Sequence, residues 1–141
     1  MAKYGNREVI YQGIKFDSVL ERNAFMRLEF LGVEFKYHEK TYTIANGGTA
    51  KAWSEKTKSI YISKIPSRKY TPEFTIHDKG REIIIEMKGM RTAAFNIRWD
   101  LFRKTLEPHQ EAYLIKTIGD LVLLVQTLGI KSKIKNPNIQ L

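Results

Sequence analysis

The chain has no cysteine among its 141 residues. That excludes a disulfide framework and any zinc site built on thiolates. Long apolar runs are missing too. The longest, Leu121 to Val125, falls far short of the roughly 18–20 residues that span a bilayer. The start, MAKYGNREV, carries no apolar segment of the kind a secretory signal needs, so the cytoplasm is the expected location. Acids are in short supply. Fifteen Asp and Glu stand against 24 Lys and Arg, for a formal net charge of +9 and a pI near 9.7. Such an excess favours a polyanionic partner, because lysines and arginines that take up phosphates release their counterions. No repeat, linker or low-complexity tract interrupts the chain, and its hydrophobic content of 43% is ordinary for a globular protein. Length and composition predict a single α/β domain over 1–141, with a real core and a basic, extended or mobile tail from Lys131.

What is present is concentrated between Lys69 and Thr92, KYTPEFTIHDKGREIIIEMKGMRT. Ile83-Ile84-Ile85 is a β-branched run suited to the inside of a sheet, yet it leads straight into Glu86, Met87 and Lys88. Side chains alternate along a strand, so Glu86 and Lys88 leave one face a step apart. Glu73 lies thirteen residues upstream, within a second expected strand over Tyr70–Ile76. Asp78-Lys79-Gly80 supplies the turn between them. Such a hairpin sets Glu73 beside Glu86, with Lys88 just beyond. Carboxylates that close repel unless a proton or cation sits between them, and oxygen ligands suit hard cations such as Mg²⁺ or Mn²⁺. A carboxylate pair with a neighbouring lysine is what metal-assisted phosphodiester hydrolysis requires.

The flanking elements follow from pattern. Val9 to Ile14 reads as a short strand broken at Gln12-Gly13. Ser18 with Glu21 is a capping box, opening a helix through Leu20, Ala24, Leu28 and Leu31 that Gly32 closes. Val33, Phe35 and Tyr37 alternate with charge and predict a half-exposed strand reaching Ile44; Asn46 to Thr49 is a loop, Lys51 to Lys58 a polar stretch, and Ile60 and Ile62 mark a strand. Phe95, Trp99, Phe102 and Leu106 form a helical stripe over Thr92–Leu106, ended by Glu107-Pro108. A strand at Ala112–Lys116, parallel to the Glu86 strand, and a helix over Asp120–Leu128 complete the reading.

Pro72-Glu73 followed by Glu86-Met87-Lys88 resembles the signature of the PD-(D/E)XK nuclease superfamily. Further blocks extend the likeness: Lys3-Tyr4-Gly5-Asn6, Gly13-Ile14-Lys15-Phe16-Asp17-Ser18 with Glu21, and Lys88-Gly89-Met90-Arg91-Thr92. They are similar in layout to a phage- and prophage-borne branch, the phage endonuclease I type of Holliday-junction-resolving enzyme, over roughly residues 3 to 107. One position departs. The superfamily's first metal ligand is usually Asp after Pro, and here it is Glu73, one methylene longer. The resemblance implies a restriction-endonuclease-like core, a mixed central sheet of about four or five strands flanked by helices. It also implies a Mg²⁺-dependent DNA endonuclease, with Mn²⁺ substituting, acting on branched DNA such as four-way junctions. A homodimer would supply the two active sites that symmetric incision of a junction needs.

On this reading Glu73 and Glu86 ligate the metal with the Met87 backbone carbonyl, Glu21 adds a carboxylate from the first helix, and Lys88 serves the attacking water or the transition state. Arg91 and Thr92 approach the phosphate, Thr92 also as a helix cap. Arg68, Lys69, Arg98, Arg103 and Lys104 border the site as contacts to the DNA backbone. The rivals are a nicking or restriction-like nuclease on linear duplex, a catalytically weak DNA-binding module, and an RNA-binding protein favoured by charge and sixteen aromatics. Glu21 also reads as a capping residue, and His77 as a surface histidine.

Overall fold

The computed structural model describes residues 9–133. The Lys3-Tyr4-Gly5-Asn6 block and positions 134–141 of the basic tail lie outside the described residues. Strands β1 (Val9–Tyr11) and β2 (Ile14–Phe16) form a hairpin whose turn residues, Gln12 and Gly13, both take positive φ, 52° and 77°. Helix α1 (Val19–Phe30) follows. Ser18 caps it by accepting the Glu21 N–H on its Oγ at 3.1 Å, and Gly32, at φ 70°, ends it. Then come β3 (Lys36–Tyr37), β4 (Tyr42–Ala45), β5 (Gly48–Ser54), β6 (Ser59–Ile65) and β7 (Arg68–Tyr70). The chain continues through β8 (Phe74–Asp78), β9 (Arg81–Met87), α2 (Ala93–Arg103), β10 (Gln110–Ile115) and α3 (Ile118–Thr127).

The fold is mixed α/β around a four-stranded sheet ordered β10-β9-β8-β3. β9 and β10 run parallel across α2, as the sequence predicts, whereas β8 is antiparallel to both of its neighbours. The isoleucines of β9 divide between two cores because successive side chains oppose each other. Ile83 and Ile85 pack with Phe16, Ala24, Phe25 and Leu28 from the β2–α1 region and with Leu121, Val122 and Val125 of α3. Ile84 faces the other way, onto Phe95, Trp99 and Phe102 of α2. All three are fully buried, each contributing about 1.5–3 kcal/mol by leaving water.

Four expectations are corrected. The segment from Val33 to Ile44 is not one strand but β3 and β4, because His38 turns at φ 53° and breaks the pleat. Tyr70–Ile76 likewise splits: Thr71 and Pro72 end β7, so Glu73 precedes β8 instead of lying within a strand. The polar stretch after Lys51 holds β5, which pairs with β6 along its whole length. Finally, α2 stops at Arg103, one turn before Pro108, with the Lys104 N–H closing onto Asp100 O and the Thr105 N–H onto Phe102 O.

Candidate active site

The β8–β9 turn places Lys79 and Gly80 at φ 52° and 80°, which sets Phe74 opposite Ile85 and, one step further, Glu73 opposite Glu86. Reciprocal bonds fix that step. The Glu73 N–H donates to Glu86 Oε1 at 3.1 Å, and the Met87 N–H donates to Glu73 Oε1 at 2.9 Å. The Glu73 carbonyl in turn accepts the His38 N–H at 2.8 Å. Both carboxylates are buried, 8% and 9% exposed.

Glu21 joins them from the first turn of α1, also buried. Its carboxylate accepts the Tyr37 hydroxyl and lies 3.7 Å from His38 Nε2. The Ser18 hydroxyl caps α1 through the Glu21 backbone N–H, while the Glu21 carboxylate borders the groove and also takes a backbone hydrogen bond from Asp17 at the helix start. Burial raises the pKa of all three acids. For Glu73 the neighbouring charges of Glu86 and Glu21 raise it further; for Glu86 the Tyr70 hydroxyl and the Glu73 backbone amide oppose the shift. Tyr70 itself is pushed up by burial and then by Glu86, and its buried hydroxyl has no hydrogen bond of sound geometry. It stands close enough to act on Glu86 electrostatically without satisfying it. Lys88 follows β9 directly, its N–H donating to Ile115 O and its Nζ 4.9 Å from the centre of the Phe95 ring. The ammonium thus rests on α2, where its charge still lowers the pKa of Glu21, Glu73 and Glu86.

These groups line one groove of about 590 Å³. Glu21, Glu73, Glu86, Met87, Lys88, Lys69, Thr92 and Arg98, all singled out from the sequence, border it. Four do not: Arg68, Arg91, Arg103 and Lys104. Arg91 donates to Asn96 Oδ1 at 2.8 Å, and Arg103 pairs with Asp100 at 2.5 Å. Thr92 caps α2, its Oγ1 accepting the Phe95 N–H at 3.1 Å. The groove is therefore bordered by the starts of both α1 and α2, where unpaired N–H groups favour an anion.

Over residues 1–119 the chain matches the family model described as Protein of unknown function (DUF1064). It is a DUF1064 protein. The match takes in every residue that lines the groove. Neither the curated proteins nor the solved structures offer a match to this DUF1064 chain.

Asp17, His38, Tyr70 and Tyr37 are the functional candidates that sequence reasoning missed. Asp17 and His38 line the groove, and burial lowers the His38 pKa against the pull of Asp17. The strand pattern gave no reason to bring either to the groove; the fold of β3 onto β8 brings His38 to Glu73, and the turn from β2 into α1 sets Asp17 at the groove's edge. His77, read as a surface residue, is exposed and bonds Glu39 at 2.8 Å. With Glu82 these two bring three ligand-type atoms within 4.8 Å of one another. Glu82 is already held by Gln110 Nε2 at 3.0 Å and Tyr42 at 3.4 Å, so this cluster closes on itself. Glu21, Glu73 and Glu86 offer oxygen ligands of the type a hard divalent cation takes: buried carboxylates, desolvated and mutually repelling, beside an unsatisfied tyrosine hydroxyl.

Proposed function

We propose that this DUF1064 protein is a metal-dependent DNA endonuclease of PD-(D/E)XK type. The observation that carries the reading is the pairing of Glu73 with Glu86 in a buried, basic-rimmed groove that also holds Glu21 and Lys88. Burying three ionised carboxylates together costs several kcal/mol unless a proton or a cation compensates, so the arrangement is a liability in a merely structural site.

Glu73, Glu86, the Met87 carbonyl and Glu21 would hold Mg²⁺ or Mn²⁺. When bound, the metal supplies Lewis acidity, neutralising phosphate charge and lowering the pKa of an attacking water. The chain does the rest. The backbone amides of Glu73 and Met87 fix the carboxylate orientations, as reciprocal bonds do at a site that must not reorganise during reaction. Lys88, seated over Phe95, presents a positive charge to the phosphate or holds the attacking water. Lys69 and Arg98 at the rim contact the phosphodiester backbone, and the N-termini of α1 and α2 direct further positive potential inward. Preference for four-way junctions, and the dimer it would require, rest on the family resemblance.

The test is cleavage of labelled linear, nicked and four-way-junction DNA with Mg²⁺, Mn²⁺ or EDTA. Metal-dependent cutting is expected, strongest on the junction. Cutting of linear duplex alone would favour the restriction-like reading. Binding without cutting in any metal would make the protein a DNA-binding module and end the nuclease proposal.

A further inference from the structure

β5 and β6 pair from Gly48–Ile65 to Ser54–Ser59 and contact each other far more than any other element. Seven residues a strand make a ribbon about 23 Å long. An isolated two-stranded ribbon buries too little surface to be firmly stable, yet this one turns large apolar side chains outward. Cross-strand partners share a face, so Thr49, Lys51 and Trp53 stand beside Lys64, Ile62 and Ile60. Trp53 is 56% exposed, Ile60 67% and Ile62 62%. Large apolar residues grouped in water mark a contact surface.

Charge identifies what the surface contacts. The ribbon carries Lys51, Lys56, Lys58 and Lys64 against one acid, Glu55. It leaves through Arg68 and Lys69 of β7, whose last residues, Lys69 and Tyr70, line the groove. A second copy would set another lysine-rich ribbon against this one, like charge on like. Duplex DNA answers both features: phosphates meet the lysines, and the sugars and base edges of a groove meet the apolar side chains. A DNA groove admits a two-stranded ribbon.

We infer that the β5–β6 ribbon is a DNA-binding arm, lying in a groove of the duplex with Lys51 and Lys64 on phosphates and Trp53 against sugars and bases. The choice of DNA rests on the nuclease reading. The inference extends that reading by placing a second handhold on the duplex, outside the groove that holds the carboxylates.

The test uses the full chain and labelled duplex DNA in EDTA, where nothing is cut. Trp99 is 3% exposed, so acrylamide-quenchable emission reports Trp53. DNA is expected to shield Trp53 from acrylamide. Lys51→Gln with Lys64→Gln should weaken binding and reduce the slope of log K against log salt by about 2. Trp53→Ala should weaken binding roughly fivefold or more. All three residues are exposed, and unchanged melting temperatures would confirm intact folding. Wild-type affinity and slope in these variants, or a Trp53 left fully quenchable in the complex, would overturn the arm. So would self-association that Ile60→Ser with Ile62→Ser abolishes while DNA affinity stays intact, since that assigns the surface to a second copy. The two readings fail separately. A chain that binds through the arm but never cuts with Mg²⁺ or Mn²⁺ loses the nuclease reading alone, and one that cuts while the variants bind normally loses the arm alone. A wild-type chain that binds no DNA loses both.

Discussion

Glu86 and Lys88 leave the same end of β9, yet their environments divide the work. Glu86 is buried against Tyr70 and Glu73, whereas Lys88 is half-buried on Phe95. Glu86→Gln or Lys88→Ala should abolish cleavage while DNA binding, measured by anisotropy in EDTA, changes little, because affinity comes from dispersed phosphate contacts. Near-wild-type cutting by either variant would remove these residues from the site. Glu21 and Ser18 separate catalysis from capping. Ser18→Ala removes the bond to the Glu21 N–H and should cost about 0.5–2 kcal/mol of stability with turnover little changed. Glu21→Gln keeps the cap and removes charge, so turnover should fall by about a hundredfold with partial rescue at higher Mn²⁺, read by single-turnover kinetics. Residues related by local register were legible in the sequence: the Glu73–Glu86 opposition follows from counting back from Gly80. Tyr37, His38 and Tyr70 were not, since their place beside the carboxylates depends on how β3 and β7 fold back, which strand alternation does not encode.

Among the elements, helices were read closely and strands less so. Helix ends carry their own chemistry, as Ser18, Thr92 and Gly32 illustrate, although α3 begins at Ile118 behind a Thr117 cap, two residues before the expected start at Asp120. Strand ends do not: His38 turns at positive φ with no glycine to announce it, and β5 lacks a buried face whose periodicity could be seen. The arm's base is specified by one close approach. A Cβ at Gly47 would come within 2.6 Å of Ile65 O and 2.9 Å of Ser67 N, both backbone atoms. Gly47→Ala should therefore force the base apart. Hydrogen exchange should show faster exchange of β5 and β6 amides, with protection of β8 and β9 unchanged. Equal protection of the arm in both proteins would mean the backbone shifts to accommodate the methyl at no cost.

The whole molecule has lost stability at its centre. The three buried acids have pKa values raised on folding, so the native state binds more protons than the unfolded chain above the ordinary carboxylate range. Stability must then fall as pH rises through that interval. With Glu86 raised to about 7 and Glu73 to about 10, the melting temperature in EDTA should drop between about pH 5 and about pH 10. Saturating Mg²⁺ should flatten the profile, because a ligand of the folded state adds stability where the acids are ionised. A profile that is level without metal, or identical with it, would deny that the acids form a cation site. The same acids have a second consequence, for alignment. Ile83, Ile84 and Ile85 are identical side chains facing two filled cores, so sliding β9 by one position exchanges isoleucine for isoleucine and leaves the apolar packing almost indifferent. Glu86 is not indifferent, for the same slip drives it among Phe16, Phe25 and Leu121, where a lone charge costs several kcal/mol. The carboxylates thus act as a checksum on the sheet: a chain threaded one residue out of step is rejected by the very groups proposed to do the chemistry.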